Sequence, residues 1–204
     1  MISKQRISHL LLALFVFSSI IMGQAVASEP IIGKSAPPIV ASKWIRGNPV
    51  NHFESGQVYL IDFWSTWCKP CIASMPMLHT LEAKFAGKVT VIAMDVWEFE
   101  PARVSAFMET HGDTMPAVVA MDSIPTGKEA NEGLTAREYL GTSESASIPK
   151  SFIIDQQGRI AWIGSLEEIE GPLSLVLEGK WDVTAFAKAY NSKAAAQKKP
   201  AEEQ

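Results

Sequence analysis

Both cysteines of this 204-residue chain lie in one five-residue segment, Trp67-Cys68-Lys69-Pro70-Cys71. A disulfide between residues three apart closes a very small ring, so it restricts the unfolded chain little compared with a bridge across a long loop. A structural bridge is therefore poorly supported, and a reversible dithiol–disulfide couple is favoured. The preceding run, residues 58–64, is apolar and rich in strand-forming residues, which predicts a buried strand. A strand, a short turn with paired cysteines and then a helix is an arrangement that makes one thiol reactive.

The first 27 residues have the pattern of a cleaved export signal. Lys4 and Arg6 give a positive start, residues 10–22 are apolar, and Ala25-Val26-Ala27 supplies the small residues expected before a cleavage site. An uncleaved membrane anchor is the alternative, but these 13 apolar residues are fewer than the roughly 20 that cross a bilayer.

We therefore expect three regions. Residues 1–27 are predicted to be a signal peptide, residues 28–190 a single folded domain, and residues 191–204 a disordered tail rich in Ala, Lys, Gln and Glu. Export, most simply to the periplasm, would place the cysteine pair in an oxidising compartment, where it must be kept reduced to act as a reductant.

The charge balance gives no support for nucleic-acid binding. The whole chain has 18 basic and 22 acidic residues, and the first 27 residues contain two of the basic ones and no acidic one. The rest of the chain therefore carries 16 basic against 22 acidic residues, which disfavours contact with nucleic acids or anionic membranes.

A four-cysteine zinc site is excluded within one chain, because there are only two cysteines, and His52, His79 and His111 are scattered singly.

Apolar periodicity and turn residues predict an alternation of strands and helices. Strands are expected at residues 39–44, 50–53, 58–64, 89–94 and 117–121, and in a hairpin of residues 151–155 and 159–163. Helices are expected at residues 70–85 (with Pro76 inside and a kink there), 101–110, 134–140, 171–177 and 183–190, with a polar loop at 122–132. This order predicts an α/β fold, with a central mixed β-sheet flanked by helices.

The cysteine motif predicts a division of labour between its two thiols. If Cys68 begins the helix, free backbone N–H groups and the helix dipole stabilise its thiolate, so Cys68 is the expected nucleophile. Cys71 lies one turn further and is expected to be more buried, and to resolve the mixed disulfide. Lys69 and Pro70 are expected to tune the reduction potential. An inert or metal-binding cysteine pair is the alternative interpretation.

The segment Phe63-Trp64-Ser65-Thr66-Trp67-Cys68-Lys69-Pro70-Cys71, followed by Pro76, resembles the active-site strand and helix of the thioredoxin superfamily. The lead-in at residues 31–37 and the late segment at residues 148–158 resemble the redoxin/TlpA–ResA branch of exported thiol-disulfide oxidoreductases. The resemblance implies a thioredoxin-like fold with an N-terminal extension. It also implies an insertion before the cis-proline, because residues 122–147 are more than thioredoxin needs there.

Three further residues gain roles from this resemblance. Pro149 matches the cis-proline that faces the cysteine pair, and Ile148 would offer backbone hydrogen bonds to an incoming polypeptide. Trp67 would cover the disulfide and help to form the substrate groove. The alternatives are an ordinary trans proline that opens a strand and a tryptophan that only packs in the core.

Asp62 stands inside an otherwise apolar strand, six residues before Cys68, where burial should raise the pKa of its carboxyl group. Thioredoxin has an aspartate at this place, whereas many TlpA-type proteins have an asparagine. We predict that Asp62 transfers protons to or from Cys71; a purely structural carboxylate is the alternative.

The resemblance implies an enzyme that reduces protein disulfides of exported proteins and is itself kept reduced by a membrane thiol electron donor. Dithiol–disulfide exchange needs no cofactor and no metal. A disulfide oxidase or isomerase is the alternative within the same chemistry. A peroxidase is less well supported, because Ser65 stands where peroxiredoxins have threonine. A Cu(I)-binding carrier is a further alternative, since two thiolates can hold copper.

Overall fold

The computed structural model describes residues 32–142 and 146–198. Within them one six-stranded sheet has the order β1-β4-β3-β2-β5-β6. The parallel strands β2, β3 and β4 form its centre, whereas β1 is antiparallel to β4, β5 to β2, and β6 to β5. The strands are β1 (Ala41–Arg46), β2 (Val58–Trp64), β3 (Val89–Asp95), β4 (Val118–Asp122), β5 (Lys150–Ile154) and β6 (Ile160–Gly164). The predicted mixed sheet is confirmed.

Helices cover both faces of this sheet. They are α1 (Lys69–Lys84), α2 (Ala102–His111), α3 (Leu134–Leu140), α4 (Glu170–Leu177) and α5 (Val183–Lys198). Short 3₁₀ turns lie at Gly112–Thr114, Ala130–Glu132 and Leu166–Glu168. Pro76 lies inside α1, as expected. The predicted signal peptide, residues 1–27, lies outside the described residues. Among the described residues, no helix is long and apolar enough to span a bilayer.

Strand β2 is buried along its whole length and separates two cores. Because side chains of a strand alternate between its faces, Leu60 and Trp64 point to one core and Ile61 and Phe63 to the other. The first core contains both cysteines and the buried side of α1 together with α2 and α4, and the second contains α3. The strand that leads into the cysteine turn is therefore packed against a core on each of its faces, and this packing fixes the position of the turn.

Residues 50–53 form no strand, so that prediction was wrong. The apolar residues of this segment pack as a loop instead: the ring of Phe53 contacts that of Tyr59 edge-on, with centroids 5.0 Å apart. The backbone N–H of Glu54 donates to the Tyr59 hydroxyl at 3.1 Å. The side chains of a short apolar run can be buried without the backbone pairing as a strand, so the apolar pattern alone did not distinguish a strand from a packed loop here.

The last helix extends to Lys198, eight residues past its predicted end at residue 190, and so into the stretch for which a disordered tail was predicted. The alanines and lysines of this stretch have high helix propensity and continue the helix that α5 has already nucleated. Residues 199–204 lie outside the described residues.

The insertion at residues 122–147 is tied to the N-terminal extension over its described part. The Tyr139 hydroxyl of α3 donates to the Pro37 carbonyl at 2.6 Å, and the Val40 N–H donates to the Thr135 hydroxyl at 2.9 Å. The segment therefore forms part of the second core, because Tyr139 is almost completely buried there.

Candidate active site

The two cysteines form a disulfide at the start of α1, with Cα atoms 5.3 Å apart. Cys68 is the residue that caps the helix, and its Sγ accepts the Cys71 backbone N–H at 3.3 Å. Cys68 keeps 4% of its surface exposed, whereas Cys71 is fully buried. Free N–H groups at a helix N-terminus stabilise a thiolate, so this geometry favours Cys68 as the attacking sulfur and Cys71 as the resolving one.

Lys69 and Pro70, between the cysteines, are both exposed in the first turn of α1. Pro70 has no N–H to donate, and a proline in the first turn of a helix costs little. Their effect on the reduction potential stays a prediction.

The peptide bond between Ile148 and Pro149 is cis, as the resemblance implied. Lys150, the next residue, pairs with Phe63 in β2, so Pro149 lies at the end of the sheet where β2 runs into the cysteine turn. Ile148 packs against the core that contains Cys68 and Cys71. Both residues are thus at the same edge as the disulfide, and their contact with a polypeptide substrate stays a prediction.

Trp67 leaves 43% of its surface exposed next to the buried Cys68. Its Nε1 donates to the Trp97 carbonyl at 2.9 Å, and its ring lies 6.1 Å from that of Phe99, which is 76% exposed. The side chain therefore belongs to an exposed aromatic surface beside the disulfide, and the alternative of a core tryptophan is excluded. Whether it covers the sulfurs stays a prediction.

Asp62 is completely buried on the face of β2 that packs against the cysteines, since it lies between Leu60 and Trp64 of that core. Its Oδ1 accepts the Ser151 hydroxyl at 2.6 Å, and its Oδ2 has no hydrogen-bond partner among the described residues. Burial raises its pKa to about 7, partly offset by the Ser151 hydrogen bond and reinforced by the charge of Glu167. A carboxyl group that titrates near neutral pH can take up and release protons in the working range.

Two acidic residues at this site were missed by the sequence reasoning. Glu98, 6% exposed, accepts hydrogen bonds through Oε2 from the Thr66 hydroxyl at 2.6 Å, the Thr66 N–H at 3.1 Å and the Ser65 hydroxyl at 3.2 Å. Asp95, 2% exposed, ends β3 just before it. Polar residues after adjacent parallel strands meet at one end of a sheet, but the pairing of β3 with β2 that brings these residues to the cysteine turn is seen in the structure and not in the sequence pattern.

A family model for redoxin matches residues 32–176, which is most of the chain and includes the cysteine turn and Pro149. The chain belongs to the redoxin family. The predicted resemblance to the redoxin/TlpA–ResA branch is thereby confirmed, and with it thiol-disulfide oxidoreductase activity.

Two curated relatives of this redoxin support the assignment. Protein FixW of Rhizobium leguminosarum is 30% identical over 157 residues, covering 76% of this chain and 70% of FixW. Thiol-disulfide oxidoreductase ResA of Bacillus anthracis is 32% identical over 151 residues, covering 71% of this chain and 78% of ResA.

Solved structures support the thioredoxin-like fold of this redoxin. A thiol-disulfide isomerase from Corynebacterium glutamicum superposes with a TM-score of 0.57 at 19% identity, over 72% of this chain and 96% of its own. StoA from Bacillus subtilis gives a TM-score of 0.51 at 20% identity, over 68% and 98%. At such identities the likeness concerns the fold alone.

Proposed function

We propose that this oxidoreductase works as a reductase, breaking disulfides in exported proteins by means of Cys68 and Cys71. The observation that carries the exchange chemistry is Asp62, a carboxyl group with a pKa of about 7 that faces the core containing Cys71. The reducing direction rests on the likeness of the Lys69-Pro70 pair between the cysteines to that of reducing members of the family. A buried resolving thiol reacts only as its thiolate, and it needs a base to remove its proton.

The reaction proceeds in two exchanges. The Cys68 thiolate attacks one sulfur of the substrate disulfide; a Cys68–substrate bond forms, the substrate S–S bond breaks, and the leaving sulfur takes up a proton. Asp62 then accepts the proton of Cys71, whose thiolate attacks Cys68 Sγ. The Cys68–Cys71 disulfide forms and the second substrate thiol leaves, so two electrons have passed from the enzyme to the substrate.

Polypeptide substrates fit the surroundings of the disulfide. An exposed Trp67 on one side and the Ile148–Pro149 segment at the same sheet edge offer an apolar face and backbone groups to an extended chain. The predicted signal peptide at residues 1–27 supports substrates outside the cytoplasm, most simply in the periplasm. An oxidising compartment then requires an external source of electrons, for which a membrane thiol donor is the simplest.

The first test is the reduction potential of the Cys68–Cys71 couple, measured by equilibration with glutathione or dithiothreitol buffers. A value near the roughly −270 mV of thioredoxin supports the reductase, and one near about −120 mV would mean a disulfide donor instead.

A second test identifies the substrates. Cys71→Ala should stall the mixed disulfide at Cys68, so that substrates from the exporting compartment can be trapped and identified by mass spectrometry. Cys68→Ala, which keeps the buried Cys71 and lacks the nucleophile, is the matched control. Equal capture by both variants would refute attack by Cys68.

A further inference from the structure

Glu98 lies against the turn that carries the nucleophile, although it is distant from that turn in the sequence. Its Oε2 accepts three hydrogen bonds from the two residues that precede Trp67 and Cys68, namely the Ser65 hydroxyl and the Thr66 N–H and hydroxyl. The Cys68 N–H in turn donates to the Ser65 carbonyl at 3.1 Å. Glu98, the turn and the nucleophile thus form one hydrogen-bonded unit.

The loop that presents Glu98 has an unusual backbone. Trp97 has a φ of 57°, in the left-handed region that non-glycine residues rarely adopt. This conformation is held from both sides, because the Val96 N–H donates to the Trp64 carbonyl and the Trp97 carbonyl accepts Trp67 Nε1, both at 2.9 Å. Strained backbone persists where the surroundings hold it, and here it presents Glu98 to the active-site turn.

The hydrogen bonds of Glu98 are those of an ionised carboxylate. Every partner donates to it, including the Glu100 N–H at 3.5 Å on Oε1. The neighbouring carboxyl group of Asp95 is buried, and its Oδ1 has no partner among the described residues. Burial, reinforced by the charges of Glu98 and Asp122, raises the Asp95 pKa to about 9, so Asp95 keeps its proton at neutral pH. The negative charge nearest the turn is therefore that of Glu98.

We propose that Glu98 is a positioning residue that fixes the turn before Cys68 and holds a negative charge beside that turn. This charge disfavours the thiolate form of Cys68 and so makes the cysteine couple more reducing. A reduced form stabilised as thiolate makes a couple oxidising, so a charge that opposes the thiolate has the reverse effect. The inference deepens the proposed reductase function and rests on the same dithiol–disulfide exchange.

The test is the equilibrium in which the enzyme disulfide and dithiothreitol exchange to give the enzyme dithiol and oxidised dithiothreitol. Glu98→Gln keeps the shape and a carbonyl acceptor for Thr66 but removes the charge. We expect its equilibrium constant to shift about three- to tenfold towards the enzyme dithiol, where tenfold corresponds to about 30 mV. The Cys68 thiolate, followed by its ultraviolet absorbance, should also appear at lower pH than in the wild type.

Two further variants separate charge from hydrogen bonding. Glu100→Gln removes an exposed charge of the same loop, paired with Arg103, and should leave the constant unchanged. Thr66→Val keeps the Glu98 charge but removes a donor that offsets it, so the constant should shift in the opposite direction, towards the disulfide.

An unchanged constant in Glu98→Gln, or a shift towards the disulfide, would overturn the inference. If that variant does not fold, the direction of the shift in Thr66→Val decides in its place. The absolute potential of the wild type tests the proposed direction of electron flow, whereas the difference between variant and wild type tests Glu98, so the two can fail separately.

Discussion

At the scale of single residues, the buried carboxyl group of Asp62 has two measurable consequences, one kinetic and one thermodynamic. Its one identified hydrogen bond, from Ser151, favours the ionised form, and complete burial opposes it. The effect of burial is the larger one, so the pKa rises to about 7. The residue is thus neutral in mildly acidic solution and becomes a base as the pH passes neutrality.

The kinetic consequence is a pH dependence of the resolving step. In the wild type, the single-turnover rate of disulfide reduction should rise with an inflection near pH 7, where Asp62 loses its proton. Asp62→Asn should lower this rate about tenfold or more above neutral pH and abolish the inflection. Glu167→Gln is the matched control: it removes a charge that raises the Asp62 pKa, so it should keep the rate and move the inflection to lower pH. An Asp62→Asn profile identical to that of the wild type would rule out proton transfer by this residue.

The thermodynamic consequence is a loss of stability as the pH rises. The folded-state pKa of Asp62 lies above the ordinary aspartate pKa of 3.8, so the folded protein holds a proton that the unfolded chain releases between about pH 4 and 7. This contribution is complete below pH 4 and is lost as the pH rises through 7. Asp62→Asn has no such proton to lose, so its free energy of unfolding relative to wild type should increase by roughly 2–4 kcal/mol over that range. Urea unfolding of both oxidised proteins at pH 4 and pH 8 measures this, and a difference independent of pH would contradict it.

At the scale of elements, the insertion is anchored by one carboxylate. Asp122, the last residue of β4, accepts the N–H groups of Thr135 and Ala136 at 2.8 and 2.9 Å, and so caps the start of α3. The close approach requires Gly133, where an added Cβ would stand 2.0 Å from Asp122 Oδ2. Since the backbone of Gly133 has a negative φ of −58°, the requirement is one of space and not of conformation.

Gly133→Ala should therefore destabilise the fold by about 1–3 kcal/mol, because the new methyl group breaks this cap or displaces α3. Gly171→Ala is the control: nothing lies within 4 Å of its Cβ position in α4, and alanine favours helix more than glycine does. It should be neutral or slightly stabilising. Thermal unfolding followed by circular dichroism compares the two, and equal midpoints would contradict the prediction.

The elements show which sequence signals were sufficient. The hairpin of β5 and β6 and the run of β2 were predicted within a residue, because a turn signal or a long apolar run defined each. Residues 50–53 were not, because a few apolar residues carry no period that separates a strand from a packed loop. The contact between α3 and the lead-in was not foreseen either, since Tyr139 and Pro37 are 102 residues apart and no local pattern joins them.

At the scale of the whole molecule, the candidate site also combines residues that a local motif identifies with residues that only the fold brings together. Cys68 and Cys71 are three residues apart, and a local motif identifies them. Glu98 meets Ser65 and Thr66 across 33 and 32 residues, because β2 and β3 are parallel and end at the same edge of the sheet. Predicting that contact required the strand order, which the sequence pattern alone did not supply.

The C-terminal helix α5 packs beside β6 and contacts both cores. Substitutions in this helix therefore show whether the two cores unfold together. Phe186 of α5 packs against both of them, and its ring lies 5.3 Å from that of Trp181 and 6.4 Å from that of Trp162. Asn191, Ser192 and Lys193, one to two turns further, are exposed.

Phe186→Ala should therefore lower the free energy of unfolding by about 2–4 kcal/mol, since it removes apolar contacts from both cores at once. Asn191→Ala is the control and should change it by less than about 0.5 kcal/mol, because this side chain of the same helix is exposed. Both variants should unfold in a single transition, with loss of tryptophan fluorescence and of helical signal at the same denaturant concentration. A Phe186→Ala protein in which the two signals separate would show that the cores on the two faces of the sheet unfold independently.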